Sequence, residues 1–324
     1  MSARWPARPI ESPARFADEG ASVALDSVLV VGDVFTDIIV RPQGPILRGS
    51  DTRATIQPIP GGSGPNQAAW LATAGVPTFF IGRVGAHDLG QSEAELRDFG
   101  IEPVLAADPD LPTGMLVVIV APDGERSFLT DRGANRNLTR ADMPDHLLNR
   151  AGMLHISGYS LFEPGPRAAV LDFVRVAKGL GIRITVDPAS VGYLREVGPA
   201  NFLNWTRGMH ICFPNEDEAT LLTGSADPET QLVVLAKIYD LVVLKRGAAG
   251  AIAGNAQGER WRTSARAANV VDSVGAGDAF FGAFAAGYFQ GHPVQACLED
   301  GVSAGTRSTG MVGGRPPRAV RSEL

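Results

Sequence analysis

Val28-Leu29-Val30-Val31, running directly into Gly32-Asp33-Val34-Phe35-Thr36-Asp37, is the stretch from which the fold is read. Four consecutive aliphatic residues without polar alternation suit a parallel strand covered on both faces. Five further apolar runs repeat the pattern, at Thr78 to Ile81, Met153 to Ile156, Ile182 to Val186, Met209 to Phe213 and Leu241 to Leu244, with helical stretches between them. Strands alternating with helices predict an α/β fold with a mainly parallel central sheet and helices on both faces. Ligands of such sheets collect beyond the carboxyl ends of the strands, and several polar residues of this chain follow those ends. The same opening stretch lacks the second and third glycines that would admit a pyrophosphate after Gly32, so a dinucleotide-dependent oxidoreductase is a poor match.

Two segments break the alternation. Ile38 to Pro60 reads as extended pieces separated by Pro and Gly, and Thr113 to Val120 with Ser127 to Thr130 flank a Pro122-Asp123-Gly124 turn. Together, at about 38–60 and 113–130, they predict a small β-sheet attached to the main domain. It is either a flap that closes over a site and excludes water or a surface hairpin with no gating role.

The bulk properties exclude several classes. A chain of 324 residues, 44% of them hydrophobic, suffices for one large α/β domain, expected over residues 28–324. Arg4, Arg8 and Arg15 in the first 27 residues sit among Pro, Ala and Ser without apolar periodicity, and the acidic Glu11, Asp18 and Glu19 argue for a disordered tail rather than a transit peptide. A net charge of -6 offers no global positive field for a nucleic-acid backbone. No apolar run approaches the roughly 18 residues of a membrane span. Cys212 and Cys297 have neither disulfide nor zinc spacing, which is the usage of a reducing compartment, expected to be the cytoplasm.

The strongest local signal for chemistry is Asp272-Ser273-Val274-Gly275-Ala276-Gly277-Asp278-Ala279-Phe280, a loop entering a helical run from Phe281 to Phe289. Small residues allow backbone N–H groups to approach an anion, and the helix N-terminus adds partial positive charge there. Asp278 in the first turn would repel a phosphate if it were merely a ligand. It makes sense as a base that takes a proton from an acceptor hydroxyl while the Gly275, Ala276 and Gly277 amides stabilise a transferred phosphoryl group. An acidic residue favoured by the helix dipole is the plainer alternative. Gly61-Gly62-Ser63-Gly64-Pro65-Asn66 opens a second helix, with Ser63 as a candidate cap and Asn66 in the first turn, able to donate to and accept from sugar hydroxyls.

These residues carry a resemblance. GGSGPNQAAWLATAG from Gly61 is similar to the first signature of the PfkB family of carbohydrate and nucleoside kinases, and DSVGAGDAFFGAF from Asp272 is similar to the second, about 200 residues further on. Asn215-Glu216-Asp217-Glu218, followed by Leu222-Thr223-Gly224, is similar to the family's NxxE segment. The resemblance implies a ribokinase-like three-layer α/β/α fold with a small β-sheet lid, and an ATP-dependent transfer to a sugar or nucleoside hydroxyl. It implies that Asp278 activates the acceptor, that Gly275 to Gly277 form the anion hole, and that Asp37, Gly61, Gly62 and Asn66 face the sugar. It further implies that Asn215 and Glu218 organise Mg²⁺ and its waters around the phosphates, and that Lys245, Gly247 and Gly250 run beside the nucleotide. Asp272 and the Val274 carbonyl match where many members hold a monovalent cation, usually potassium. Relatives often dimerise through the flap. Phe35, Ser63 and Tyr159 differ from the residues of ribokinases proper, which turns the expected acceptor away from ribose toward another sugar, a sugar acid or a nucleoside.

Asp98-Phe99-Gly100 spells a protein-kinase motif without its setting, and Gly100 reads as a helix stop. Only Lys178, Lys237 and Lys245 are present, none in a Walker P-loop context. His155 reads as a pocket or packing residue, Arg126 and Arg132 as a solvated hairpin edge in preference to contacts for an anionic substrate, and Asp187 to Ser190 as a strand-end turn in preference to a pocket wall. A non-catalytic sugar-binding module on the same fold is the remaining rival, and Asp278 speaks against it.

Overall fold

The computed structural model describes residues 26–121 and 126–318. Residues 1–25 of the expected tail, and the Pro122-Asp123-Gly124 turn, lie outside the described residues. Asp26, two residues ahead of the expected domain start at Val28, donates its N–H to the Arg150 carbonyl.

The strands in chain order are β1 (Ser27–Val31), β2 (Phe35–Pro42), β3 (Ala54–Gly61), β4 (Thr78–Gly85), β5 (Ile101–Asp108), β6 (Gly114–Val120), β7 (Arg126–Asp131), β8 (Ala151–Ser157), β9 (Arg183–Asp187), β10 (Ile211–Cys212), β11 (Leu241–Lys245), β12 (Ala251–Asn255) and β13 (Arg260–Thr263). Nine of them form one sheet in the order β13-β12-β11-β10-β9-β8-β1-β4-β5. From β11 to β5 every pairing is parallel, while β12 and β13 close one side as an antiparallel hairpin. All six apolar runs of the sequence lie in this sheet.

The side-chain period of two along β1 divides the core. Leu29 and Val31 face one layer, where Phe173 and Val174 of the Pro164–Gly179 helix and Phe202 of the Pro199–Trp205 helix are buried. Val28 and Val30 face the other, filled by Phe280, Phe281 and Phe284 of the Ala276–Phe289 helix and by Leu71 of the Ser63–Thr73 helix. Helices therefore cover both faces, giving the three layers expected, and each strand can be apolar throughout.

A separate four-stranded sheet, β3-β2-β6-β7, is the small sheet expected from the broken alternation. Its β2 starts at Phe35 rather than Ile38, which puts Asp37 on the small sheet itself. His155 is fully buried, with its ring nitrogens against Thr185 Oγ1 and Gln67 Oε1 and its ring stacked on Phe281, so packing is its role. Gly100 ends the Leu89–Arg97 helix region with a φ of 78°.

Candidate active site

The two signature helices pack side by side, and their N-termini meet over one cavity. A Cβ on Gly282 of the later helix would overlap Trp70 of the earlier one, so its absence lets the axes approach. Gly275 is the N-cap of the Ala276–Phe289 helix and stands in the left-handed region at φ 76°. A Cβ there would strike Gly314 of the C-terminal segment. Gly314 also backs onto Asn66, and its carbonyl accepts from Trp70 Nε1 at 2.9 Å, so one late glycine locks both helix mouths together.

Asp278 sits where these mouths converge. Ser63 Oγ donates to its Oδ1 at 2.6 Å and Asn66 Nδ2 donates to its Oδ2 at 3.1 Å. The cap of the first helix is Gly62 and not the expected Ser63, whose hydroxyl is spent on Asp278 instead. Asp278 touches the cavity but is walled in by protein elsewhere. That burial pushes its pKa up to about 7, against the two hydrogen bonds, which favour the ionised form, and with help from nearby Asp187.

The cavity has a volume of about 1140 Å³ and is lined by Gly275, Gly277, Asp278, Ser273 and Val274 from the helix mouth and by Gly62, Ser63 and Asn66 from the other. Asp37 enters from the small sheet, with its pKa raised to about 6 by burial in spite of the Arg315 charge, and its Oδ1 has no partner among the described residues. Gly61 does not line the cavity, but a side chain there would collide with the Asp37 carboxylate, so this glycine makes room for it. Ala276 likewise contributes as the first residue of the helix rather than as a lining residue.

A second charged group closes the other end. Lys245 Nζ binds Asp187 Oδ2 at 2.6 Å, and both line the cavity together with Asn215 and Glu218. Burial works against the Lys245 charge, yet Asp187 and Glu218 more than offset it and its pKa stands above the usual value. Asn215 and Glu218 form a capping box, each side chain accepting the other's backbone N–H at 2.8 and 2.9 Å, which fixes Glu218 at the start of the Glu216–Thr223 helix. Burial pushes Glu218 up to about 7, Lys245 pulling the other way. Gly247 and Gly250 form the turn after β11, next to Lys245 in the chain but outside the cavity lining.

Several residues take the place that sequence reading ranked second. Asp187 belongs to the cavity and not merely to a turn. Arg132 is buried rather than solvated. It pairs with Asp33, donates to the Tyr159 carbonyl at 2.9 Å and lines the cavity near Phe35 and Tyr159. Asp33 also accepts from Ser160 Oγ at 3.0 Å, and burial raises its pKa against the pull of Arg132. Arg126 is bound to Asp272 at 2.8 Å. The ordering of these partners by chain position, 33 with 132 and 126 with 272, left no local spacing to detect.

Among the described residues no group of three or more His, Cys, Asp or Glu could hold a metal ion by itself, and no helix is long and apolar enough to cross a membrane. The oxygens of Glu218 and Asp187 are the hard donors that suit a magnesium ion reached through water and brought by nucleotide phosphates. The donors around Asp272 do not suit a monovalent cation, because its carboxylate already takes a guanidinium and two backbone N–H groups.

A glycine-lined helix mouth with a buried carboxylate beside it and a lysine at the other end of the same cavity, all at the carboxyl end of a parallel sheet, is the arrangement of a small-molecule kinase. The profile of the pfkB family carbohydrate kinase matches residues 25–319, and the chain belongs to that family. It is 30% identical over 314 residues to a ribokinase of Arabidopsis thaliana, an alignment covering 92% of this chain and 79% of the relative. Among solved structures it is similar to an adenosine kinase from Sinorhizobium meliloti, with TM-score 0.80 and 26% identity over 90% of this chain and 96% of the other. It is also similar to Arabidopsis thaliana ribokinase complexed with ribose and ATP, with TM-score 0.75 and 28% identity over 90% and 96% of the two chains. The protein is a carbohydrate kinase of the ATP-binding, sugar- or nucleoside-phosphorylating kind.

Proposed function

We propose that the protein transfers the γ-phosphoryl group of ATP to a hydroxyl of a small sugar or sugar-like acceptor, with Asp278 as general base. The observation that carries this reading is the position of Asp278 in the first turn of the helix capped by Gly275, with a pKa pushed up to about 7 and both oxygens already accepting from neutral donors. A base with a pKa near the working pH is available ionised and still takes a proton readily. The amides of Gly275, Ala276 and Gly277 would hold the transferred group, and positioning supplies most of the rate.

On this reading Asp37, Gly61, Gly62 and Asn66 form the acceptor end, and Asn215, Lys245, Gly247 and Gly250 the nucleotide end. Magnesium, bound through water near Glu218, would neutralise phosphate charge. The relative complexed with ribose and ATP lends support to both ends. The small sheet would act as a lid, because Leu116, Phe128 and Thr130 line the cavity from it. Its opposite face exposes Ile56, Met115 and Leu129, which suits a homodimer through the lid. Two unpaired, buried cysteines suit the cytoplasm.

A nucleoside acceptor is the second reading. Phe35, Phe128, Tyr159 and Tyr193 line the same cavity and offer faces for a base to stack on. A coupled ADP-release screen across sugars, sugar acids and nucleosides tests the proposal. One acceptor giving saturable, magnesium-dependent ADP release in wild type and none in Asp278→Asn is the expected result. ADP release that ignores every acceptor, or that survives Asp278→Asn, would count against it.

A further inference from the structure

Asp272 begins the loop that delivers Gly275 to Gly277 to the helix mouth, and its carboxylate is engaged from three sides. The Val274 N–H reaches Oδ1 at 2.8 Å, closing the loop on itself. The Gly313 N–H reaches Oδ2 at 3.2 Å, tying the loop to the C-terminal segment. Arg126 Nη2 reaches Oδ1 at 2.8 Å, and the two side chains are only 21% and 12% exposed. Oδ1 therefore holds two donors, and the single negative charge of the carboxylate is matched by a guanidinium held in a largely enclosed place. A second cation at this point would meet N–H donors that cannot turn away and a fixed positive charge beside it, the Asp272 charge being already matched.

We infer that Arg126 is itself the cation of this site. It is a positioning residue: it does the electrostatic work expected of a monovalent ion, holding the Asp272 to Val274 loop so that the amides behind it point into the cavity. Potassium then has no part in the reaction. Arg126 is also the first residue of β7, at the edge of the small sheet. The charge that orders the loop is thus carried by the lid, and the anion-binding mouth is completed when the lid is seated. An ion from solution would not couple the two events. The inference takes the helix mouth as the phosphoryl site, and to that extent rests on the function proposed above.

The test compares wild type with Arg126→Ala in potassium chloride and in tetramethylammonium chloride at equal ionic strength, near 0.1 M so that general screening is alike. Melting temperatures are measured without substrate, and rates with the acceptor found in the screen. Wild type should melt at the same temperature and turn over at the same rate in both salts. Arg126→Ala in tetramethylammonium should lose about tenfold in kcat with the acceptor KM less affected, well short of the roughly 10²–10³ that a direct donor to the reacting group is worth. Potassium should restore most of that rate and raise the melting temperature of the variant alone. Two results overturn the inference: potassium stabilising or activating wild type as it does the variant, or a loss of 10²–10³ that no cation restores, which would make Arg126 a direct phosphoryl ligand. If Arg126→Ala does not fold, the wild-type comparison still decides, since a potassium-specific stabilisation of wild type is enough to refute it. The melting arm needs no turnover, so a failure to find any acceptor tells against the kinase reading while leaving the cation result standing.

Discussion

At the scale of single residues, Asp278 governs what can be measured. In the proposed role of general base it must be ionised, and burial holds its pKa at about 7, so kcat/KM should rise as pH increases through about 7 and fall away on the acid side. The Ser63 hydroxyl favours the ionised form, so Ser63→Ala should move that acid limb to higher pH, a shift visible in the pH profile. Asp278→Asn should lower kcat by at least about 100-fold while ATP affinity, measured by calorimetry, changes little. Stability should move in the opposite sense. A carboxyl whose folded pKa is raised contributes stability below its unfolded value near 4, and that contribution is lost as pH rises through about 7. Asp278→Asn escapes the cost of the buried charge, so its melting temperature should gain on wild type above neutral pH and converge toward it near pH 5. Asp278 and Asn66 were legible in the sequence because each follows a glycine cluster at the start of a helix. Arg126, Arg132 and Asp187 could be named there only as second choices, because their partners are supplied by distant parts of the chain and only folding brings them within bonding distance.

At the scale of elements, the helix mouth depends on a backbone conformation that only glycine takes without cost. Gly275→Ala would set a Cβ against Gly314 at φ 76°, and strain of this kind is worth about 1–3 kcal/mol. The variant should melt lower and lose kcat, since the same displacement moves the amides of Ala276 and Gly277. An unchanged rate in a folded Gly275→Ala protein would mean that those amides do not need their present position. The strands show how covering decides legibility. Six runs in the middle of the sheet kept a mainly apolar signature, whereas β5, at the sheet edge with Glu102 exposed, had no such run to recognise. The hairpin of β12 and β13 was missed as well, Gly254 and Arg260 interrupting what would otherwise read as strands. In the small sheet, broken alternation predicted that strands existed but not their limits, and the register alone puts Asp37, opposite Ile59 and Leu116, on the lid.

At the scale of the whole molecule, the chain joins a three-layer body to a small sheet, and the cavity is lined by groups from both. Lid residues supply Asp37, Leu116, Phe128 and Thr130, the body supplies Asp278, Lys245 and Glu218, and Arg126 reaches across to Asp272. If the small sheet moves as the proposed lid, such a division would let closure assemble the site while shutting out water that would otherwise compete as acceptor. The general outline of this arrangement was open to sequence reading, since two glycine-rich helix starts in one α/β chain imply a shared site. Its size and the ion pairs of Arg132 with Asp33 and Arg126 with Asp272 were not, because cavities and long-range pairs are made by packing and leave no pattern along the chain. The most direct measurement is a crystal structure with a non-hydrolysable ATP analogue, magnesium and the acceptor. The terminal phosphate should lie within hydrogen-bonding distance of the Gly275 to Gly277 amides, with the acceptor hydroxyl between it and the Asp278 carboxylate. A terminal phosphate bound elsewhere, with Asp278 facing no hydroxyl, would contradict the account.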